Sequence, residues 1–228
     1  MNPHENHRKR MRQRYLKQGF EGFADHEVLE FLLYYCYPRR DTNEIAHRMI
    51  KEFGSLHNLL ESDVPTIMKK LGCTENIAVY LNMLPKVANR YFRNKWGTGI
   101  ILDNPKTAGE YAIDLFVGYT VEMFYVICID KKFRLINTVL ISEGTLDESA
   151  VYPREIVSAA IQNNAAYIIL AHNHPSGTLK PSKSDLEVTR RIVEGMQLLN
   201  LFISDHIIVA GDTYYSFAAR KQIVKGYL

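Results

Sequence analysis

Between Asp25 and about Phe92, apolar residues recur three and four positions apart: Val28, Leu29, Leu32 and Leu33, then Ile45, Met49 and Ile50, then Leu56, Leu59 and Leu60. That spacing lays an apolar stripe along each of several short helices. It predicts a small all-helical domain over residues 1–95. Start and stop signals divide it. Asp41 with Glu44 three positions on makes a capping-box pattern, Ser55 and Thr74 suit the caps of later helices, and Gly54 and Gly72 supply breaks. Pro85 falls inside the last periodic stretch and is expected to kink or divide it.

From Trp96 to Pro105 two glycines and a proline interrupt the helical pattern, the natural place for a domain boundary. The rhythm then changes. A helix over about Lys106 to Val117 leads to the β-rich run Met123 to Ile129, a turn at Asp130-Lys131-Lys132, and a second strand around Arg134 to Ile141. Pro153 suits the first turn of a helix over Arg154 to Asn163, and Ala166 to Ala171 reads as a buried strand. A polar loop, a helix from about Lys183 to Leu199, and strands near Phe202 to Ala210 and Thr213 to Phe217 complete an α/β domain over residues 105–228.

Composition narrows the class. With 228 residues, 46% of them hydrophobic, the chain can bury one ordinary core or two small ones, and two fit the change of rhythm better. No apolar run approaches the roughly 18 to 20 residues of a membrane span, and Met1 to His7 is polar with no signal-peptide core. A cytoplasmic protein without membrane attachment is therefore expected. Cys36, Cys73 and Cys128 are far apart and form no CxxC pair, so they read as small buried hydrophobes. The net charge of +3 divides unevenly, with +5 in residues 1–95 and −2 in the remainder. Much of the excess lies between Arg8 and Arg14. That run reads as a solvated leader, with contact to an anionic partner such as DNA as the alternative.

The chemistry concentrates in His172-Asn173-His174-Pro175-Ser176-Gly177, followed at a short distance by Ser182-Lys183-Ser184-Asp185. In extended backbone residues 172 and 174 share a face, so two imidazoles converge at the end of a buried strand. Asp185 is the natural third ligand. Such a set suits a catalytic zinc site, in which three protein ligands leave a position open to water. A single histidine at a strand end is usually structural, and Ser182 with Asp185 also suits a helix N-cap. Two histidines at this spacing are harder to explain that way. Rival signatures fail: His26-Glu27 has Glu30 where HExxH needs its second histidine, His4-Glu5-Asn6-His7 is one position short, and no cysteine pair supports a nucleobase deaminase.

The pattern His172-x-His174 with Asp185 after ten intervening residues, and Pro181-Ser182 shortly before it, resembles the JAMM motif of the JAB/MPN metalloprotease superfamily. Gly144-Thr145-Leu146, Tyr152-Pro153-Arg154-Glu155, Ala171 to Gly177 and Asp205-His206-Ile207-Ile208-Val209 together resemble the RadC family more narrowly. The resemblance implies a mixed sheet flanked by helices, related to the cytidine-deaminase-like architecture, behind a small all-α N-terminal domain. It implies Zn2+ on His172, His174 and Asp185, with Glu122 as general base, Glu143 as second choice, and Ser182 as oxyanion donor. A metallopeptidase or isopeptidase acting on a peptide or protein follows as the expected activity. His206 has two readings, a support behind the ligands and a buried structural histidine, and the second is preferred, which leaves it outside the site.

The family's N-terminal domain resembles a helix-hairpin-helix module, whose hairpin offers backbone N–H groups to a DNA phosphate. At the matching place this chain has Leu71-Gly72-Cys73-Thr74-Glu75, with Thr74 where a second glycine belongs and an acidic neighbour. Both features oppose close phosphate approach. The family's link with DNA repair and recombination makes a nucleic-acid-binding protein or nuclease the alternative, reached through the basic N-terminal region. A pure interaction module with a degenerate site ranks last, because all five proposed site residues are present.

Overall fold

The N-terminal unit grows from the helical stripes. A computed structural model describes residues 3–97, 99–144, 153–197, 199 and 201–223. In it the chain divides into two compact units, residues 1–86 and 87–228. Helices α1 (Pro3–Gln18), α2 (Asp25–Cys36), α3 (Asn43–Phe53), α4 (Leu56–Glu61) and α5 (Val64–Leu71) precede α6 (Glu75–Trp96), which runs through the division. Leu29, Leu33, Met49, Leu59, Ile67 and Leu81 are fully buried at the centre of the first unit, as the periodicity requires.

Local chemistry sets the helix ends. Ser55 Oγ accepts from the N–H of Asn58 at 3.0 Å and caps α4, while Gly54 and Gly72 close α3 and α5 in the left-handed conformation that glycine adopts at least cost. The expected capping box at Asp41 does not form. Asp41 instead accepts from the N–H of Asn43 at 2.9 Å, two residues on, and Thr42 takes the cap position. A short acidic side chain prefers this local turn when the geometry offers it.

Of the two outcomes expected at Pro85, division does not occur: α6 continues through it, although an interior proline costs about 3 kcal/mol. Anchors flank it: Asn82 donates to Ser62 O at 2.9 Å, and Asn89 to Leu115 O at 2.8 Å. Nor is the basic run a solvated leader. It forms α1, buries Met11 against Phe31 and Tyr34, and uses Arg8 to donate to the carbonyls of Tyr37, Pro38 and Arg40. Arg14 pairs with Glu27 at 2.7 Å and also donates to Gly22 O.

The second unit is a five-stranded mixed sheet between helices, as the α/β reading expects. Its elements are α7 (Pro105–Phe116), β1 (Met123–Ile129), β2 (Leu135–Glu143), α8 (Pro153–Gln162), β3 (Tyr167–Asn173), α9 (Lys183–Gln197), β4 (Phe202–Ala210) and β5 (Thr213–Ser216). Strand order is β2-β1-β3-β4-β5. Only β3 and β4 pair in parallel among these strands, joined through α9. Residues 145, 146 and 152 of the RadC-like stretches lie outside the described residues.

Alternation along β1 assigns the two faces. Phe124, Val126 and Cys128 join a core with Ile156 of α8 and Ile192 and Met196 of α9, while Met123, Tyr125, Ile127 and Ile129 face Tyr111, Ala112 and Leu115 of α7. Both faces are covered, which is why β1 is buried along its whole length. On α7, Gly109 permits a close approach: a Cβ there would stand 2.3 Å from Tyr214 Cζ. Among the described residues no helix is long and apolar enough to cross a membrane.

Candidate metal centre

His172 belongs to the last turns of the β3 ladder, opposite Phe124 on β1 and Ile208 on β4, and its side chain is fully buried. The parallel pairing carries one residue beyond the strand, since His174 N–H donates to Val209 O at 2.8 Å. Both imidazoles therefore emerge on the α9 face. The chain then folds back through Pro175 to Pro181 and starts α9, whose first turn carries Asp185.

The start of α9 is a reciprocal cap. Ser182 Oγ accepts from the N–H of Asp185 at 3.0 Å, and Asp185 Oδ2 accepts from the N–H of Ser182 at 2.7 Å. Capping thus immobilises the carboxylate beside the histidines. Ser182 Oγ accepts one hydrogen bond in the cap, and its side chain also helps to hold Asp185 ionised.

Two ring nitrogens and the two oxygens of one carboxylate face one another. His172 Nε2 lies 3.0 Å from His174 Nε2 and 3.1 Å from Asp185 Oδ1, and His174 Nε2 lies 3.5 Å from Asp185 Oδ2. His174 Nδ1 donates to Thr178 O at 2.6 Å, so the neutral ring presents a lone pair from Nε2 toward the cluster. A tetrahedral zinc with bonds of about 2.05 Å separates its ligands by about 3.3 Å. The observed separations bracket that value, and two nitrogens with one carboxylate are the donor types zinc takes. Among the described residues, His172, His174 and Asp185 form the group that could hold a metal ion.

Electrostatics agree with a cation at the centre. Burial pushes the His172 ring below its ordinary value, against the pull of Asp185. Asp185 raises His174 despite partial burial. Burial also opposes ionisation of Asp185, but its close approach to His172 and His174, with Ser182, holds its carboxyl far below the usual range.

Glu122, immediately before β1, lines the same cavity of about 650 Å³ as His174, Thr178, Lys180, Ser182 and Asp185. Its negative charge favours protonation of both ligand histidines. Glu143 instead sits exposed at the end of β2, opposite Met123, and is not among the residues lining that cavity. Of the two carboxylates considered from sequence, Glu122 is the one brought to the site.

Two supporting residues, Asn173 and Thr189, escape the sequence reading, and a third, His206, is set aside there as structural. Asn173, between the two histidines, points to the opposite face, where its Oδ1 accepts from Met123 N–H at 2.7 Å and its Nδ2 donates to Val121 O at 3.0 Å. These bonds grip the residues on either side of Glu122. His206 Nε2 lies 2.9 Å from His172 Nδ1, and His206 Nδ1 lies 2.6 Å from Thr189 Oγ1. His206 is a neighbour of the cluster as well as a buried ring, stacked on Phe217 at 4.9 Å. The local signal was faint: Asp205-His206 in an apolar strand. Asp205 itself turns elsewhere, accepting from His206 N–H, Ala218 N–H and Ser216 Oγ.

Known proteins share this arrangement of sequence. The family described as the RadC-like JAB domain matches residues 102–223. A UPF0758 protein of Fusobacterium nucleatum subsp. nucleatum is 36% identical, the match covering 92% of this chain and 94% of that protein. UPF0758 proteins of Pseudoalteromonas translucida and Vibrio parahaemolyticus are 33% and 32% identical, each over 92% of this chain and 94% and 93% of theirs. The JAB domain superfamily is one of metal-dependent hydrolases, and the cluster at the end of β3 offers the ligands that such chemistry needs. The match over residues 102–223 takes in more than half of the chain, and the chain belongs to the RadC family.

Proposed function

We propose that this protein is a zinc-dependent hydrolase that cleaves an amide or isopeptide bond in a peptide or protein. The observation that carries the reading is the convergence of His172 Nε2 and His174 Nε2, 3.0 Å apart, on the Asp185 carboxylate, whose Oδ1 lies 3.1 Å from the first and whose Oδ2 lies 3.5 Å from the second, beside Glu122 in an open cavity. A zinc ion held by these groups supplies Lewis acidity, lowering the pKa of water toward about 7 and polarising a carbonyl.

The chain's own groups do the rest. Glu122 accepts the proton of the attacking water and delivers it to the leaving nitrogen, a transfer for which its position on the cavity wall suits it. Ser182, fixed by its cap to Asp185, donates its hydroxyl proton to the oxyanion that forms on the substrate. Asn173 holds the peptide of Glu122 in place through Val121 and Met123.

Elemental analysis of protein purified without chelator should give about one zinc per chain, and His174→Ala should lose it. Digestion of a peptide library should proceed with the wild type and stop with Glu122→Gln, which keeps the metal. Full zinc occupancy in His174→Ala would defeat the ligand assignment. Cleavage unchanged in Glu122→Gln would remove the proposed base.

A further inference from the structure

We propose that His206 and Thr189 are positioning residues that lock His172 in the tautomer whose Nε2 lone pair faces the metal site. The argument follows one chain of hydrogen bonds. Thr189 Oγ1 lies 2.5 Å from Asp185 O, four residues earlier in α9, and a carbonyl oxygen can only accept. The hydroxyl proton of Thr189 is therefore spent on Asp185.

Thr189 Oγ1 must then accept from its second neighbour, His206 Nδ1, at 2.6 Å. The His206 ring is completely buried, with a hydroxyl and a second imidazole as its hydrogen-bond partners, a setting that favours the uncharged ring with a single N–H. With that proton on Nδ1, His206 Nε2 carries a lone pair. At 2.9 Å it accepts from His172 Nδ1, which places the one proton of neutral His172 there. His172 Nε2 is left bare, 3.0 Å from the bare Nε2 of His174.

The path closes on itself. It begins at the main chain of one ligand, Asp185, crosses α9 and β4, and ends on the ring of another ligand, His172. Register makes this possible, because Leu170 pairs with His206 and His172 with Ile208, so both rings stand on the α9 face of neighbouring parallel strands. Phe217 stacks on His206 and Phe124 on His172, so neither ring can turn without disturbing the core. Ligand histidines commonly donate their other nitrogen to a carboxylate or carbonyl. Here the acceptor is a neutral imidazole, whose own orientation is dictated by a helix hydroxyl.

The proposal rests on the reading of His172, His174 and Asp185 as metal ligands, and a spectroscopic test separates the two. Nitrogen-15 spectra of the histidine side chains in the metal-free protein at alkaline pH distinguish protonated from bare ring nitrogens. They should show both His172 and His206 protonated at Nδ1. Zinc affinity, measured by chelator competition, should fall about 10- to 100-fold in His206→Leu. His206→Gln should recover most of it, since an amide can accept from His172 and donate to Thr189.

Thr189→Val preserves shape and removes only the hydroxyl. It should scramble the His206 tautomer and weaken zinc binding roughly tenfold, which provides a test even if His206→Leu does not fold. A wild-type spectrum with His172 protonated at Nε2 would overturn the proposal, as would unchanged tautomers and zinc affinity in Thr189→Val. Absence of zinc binding by the wild type, with the expected tautomers present, would instead defeat the metal reading and leave the relay standing.

Discussion

Asn173 binds Met123 across 50 residues of sequence, its Oδ1 accepting the buried Met123 N–H at 2.7 Å while its amide nitrogen donates to Val121 O. The side chain between the two proposed ligand histidines thus turns to the other face of the sheet. It braces the start of the strand that follows Glu122.

Replacing Asn173 by Leu should leave zinc affinity within a few-fold of wild type, because the ligands lie on the other face. Stability should drop by about 1 to 3 kcal/mol, the cost of an unsatisfied buried N–H. Amide exchange at Met123 should accelerate along with it. Unchanged exchange at Met123 would show that the bracket carries no stability.

Gly109 makes a separate test of packing between α7 and β5. A Cβ there would meet Tyr214 ring carbons at 2.3 to 2.5 Å. Gly109→Ala should therefore destabilise by about 1 to 2 kcal/mol, with overpacking outweighing the gain of about 1 kcal/mol in helix propensity. Adding Tyr214→Ala should make the glycine substitution harmless or favourable, a coupling that a double-mutant cycle reads directly. A raised melting temperature in Gly109→Ala alone would contradict the contact.

Asp205 predicts an inverted pH dependence. Burial pushes its carboxyl up to about 6, against hydrogen bonds from Ser216, Ala218 and His206. In the unfolded chain the group titrates near about 3.9. Between these values the folded chain binds more protons, so its stability falls as pH rises from about 4 to about 6 and is steady above. The loss is on the order of 2 to 3 kcal/mol. Asp205→Asn should lack this component, so its unfolding free energy relative to wild type should rise by that amount between pH 4 and pH 7. Parallel curves for the two proteins would refute the assignment.

Arg8 is expected to behave as a structural residue. Its guanidinium donates to Tyr37, Pro38 and Arg40 carbonyls and lies over the Tyr34 ring at 4.7 Å. Arg8→Ala should speed tryptic cleavage after Arg39 several-fold, consistent with a loss of about 1 to 2 kcal/mol, whereas Arg10→Ala, at an exposed position, should not. Equal rates in the two variants would return α1 to the status of a solvated segment.

These cases show what the sequence could and could not reveal. The apolar run Ala166 to Ala171 leading into His172 and His174, and the Ser182-x-x-Asp185 cap, are local patterns, and they point to the three side chains that converge in the structure. His206 needed the register of β3 against β4, which slips by one residue between Ile168 and Ile169. No periodicity in either strand records that slip. Asn173 looked like a spacer because its partners are a turn before a distant strand. In α1 the charges masked Met11, whose burial turns a basic run into a packed helix.

The parallel crossover from β3 through α9 to β4 holds every proposed ligand and its relay within residues 172 to 206, whereas Glu122 stands just before β1. On the proposed reading, ion capture and bond cleavage would be encoded in separate stretches of the gene. A lineage could exchange Glu122 for a neutral residue and retain a folded, ion-loaded binding protein, so inheritance of the three ligands alone does not guarantee a working enzyme.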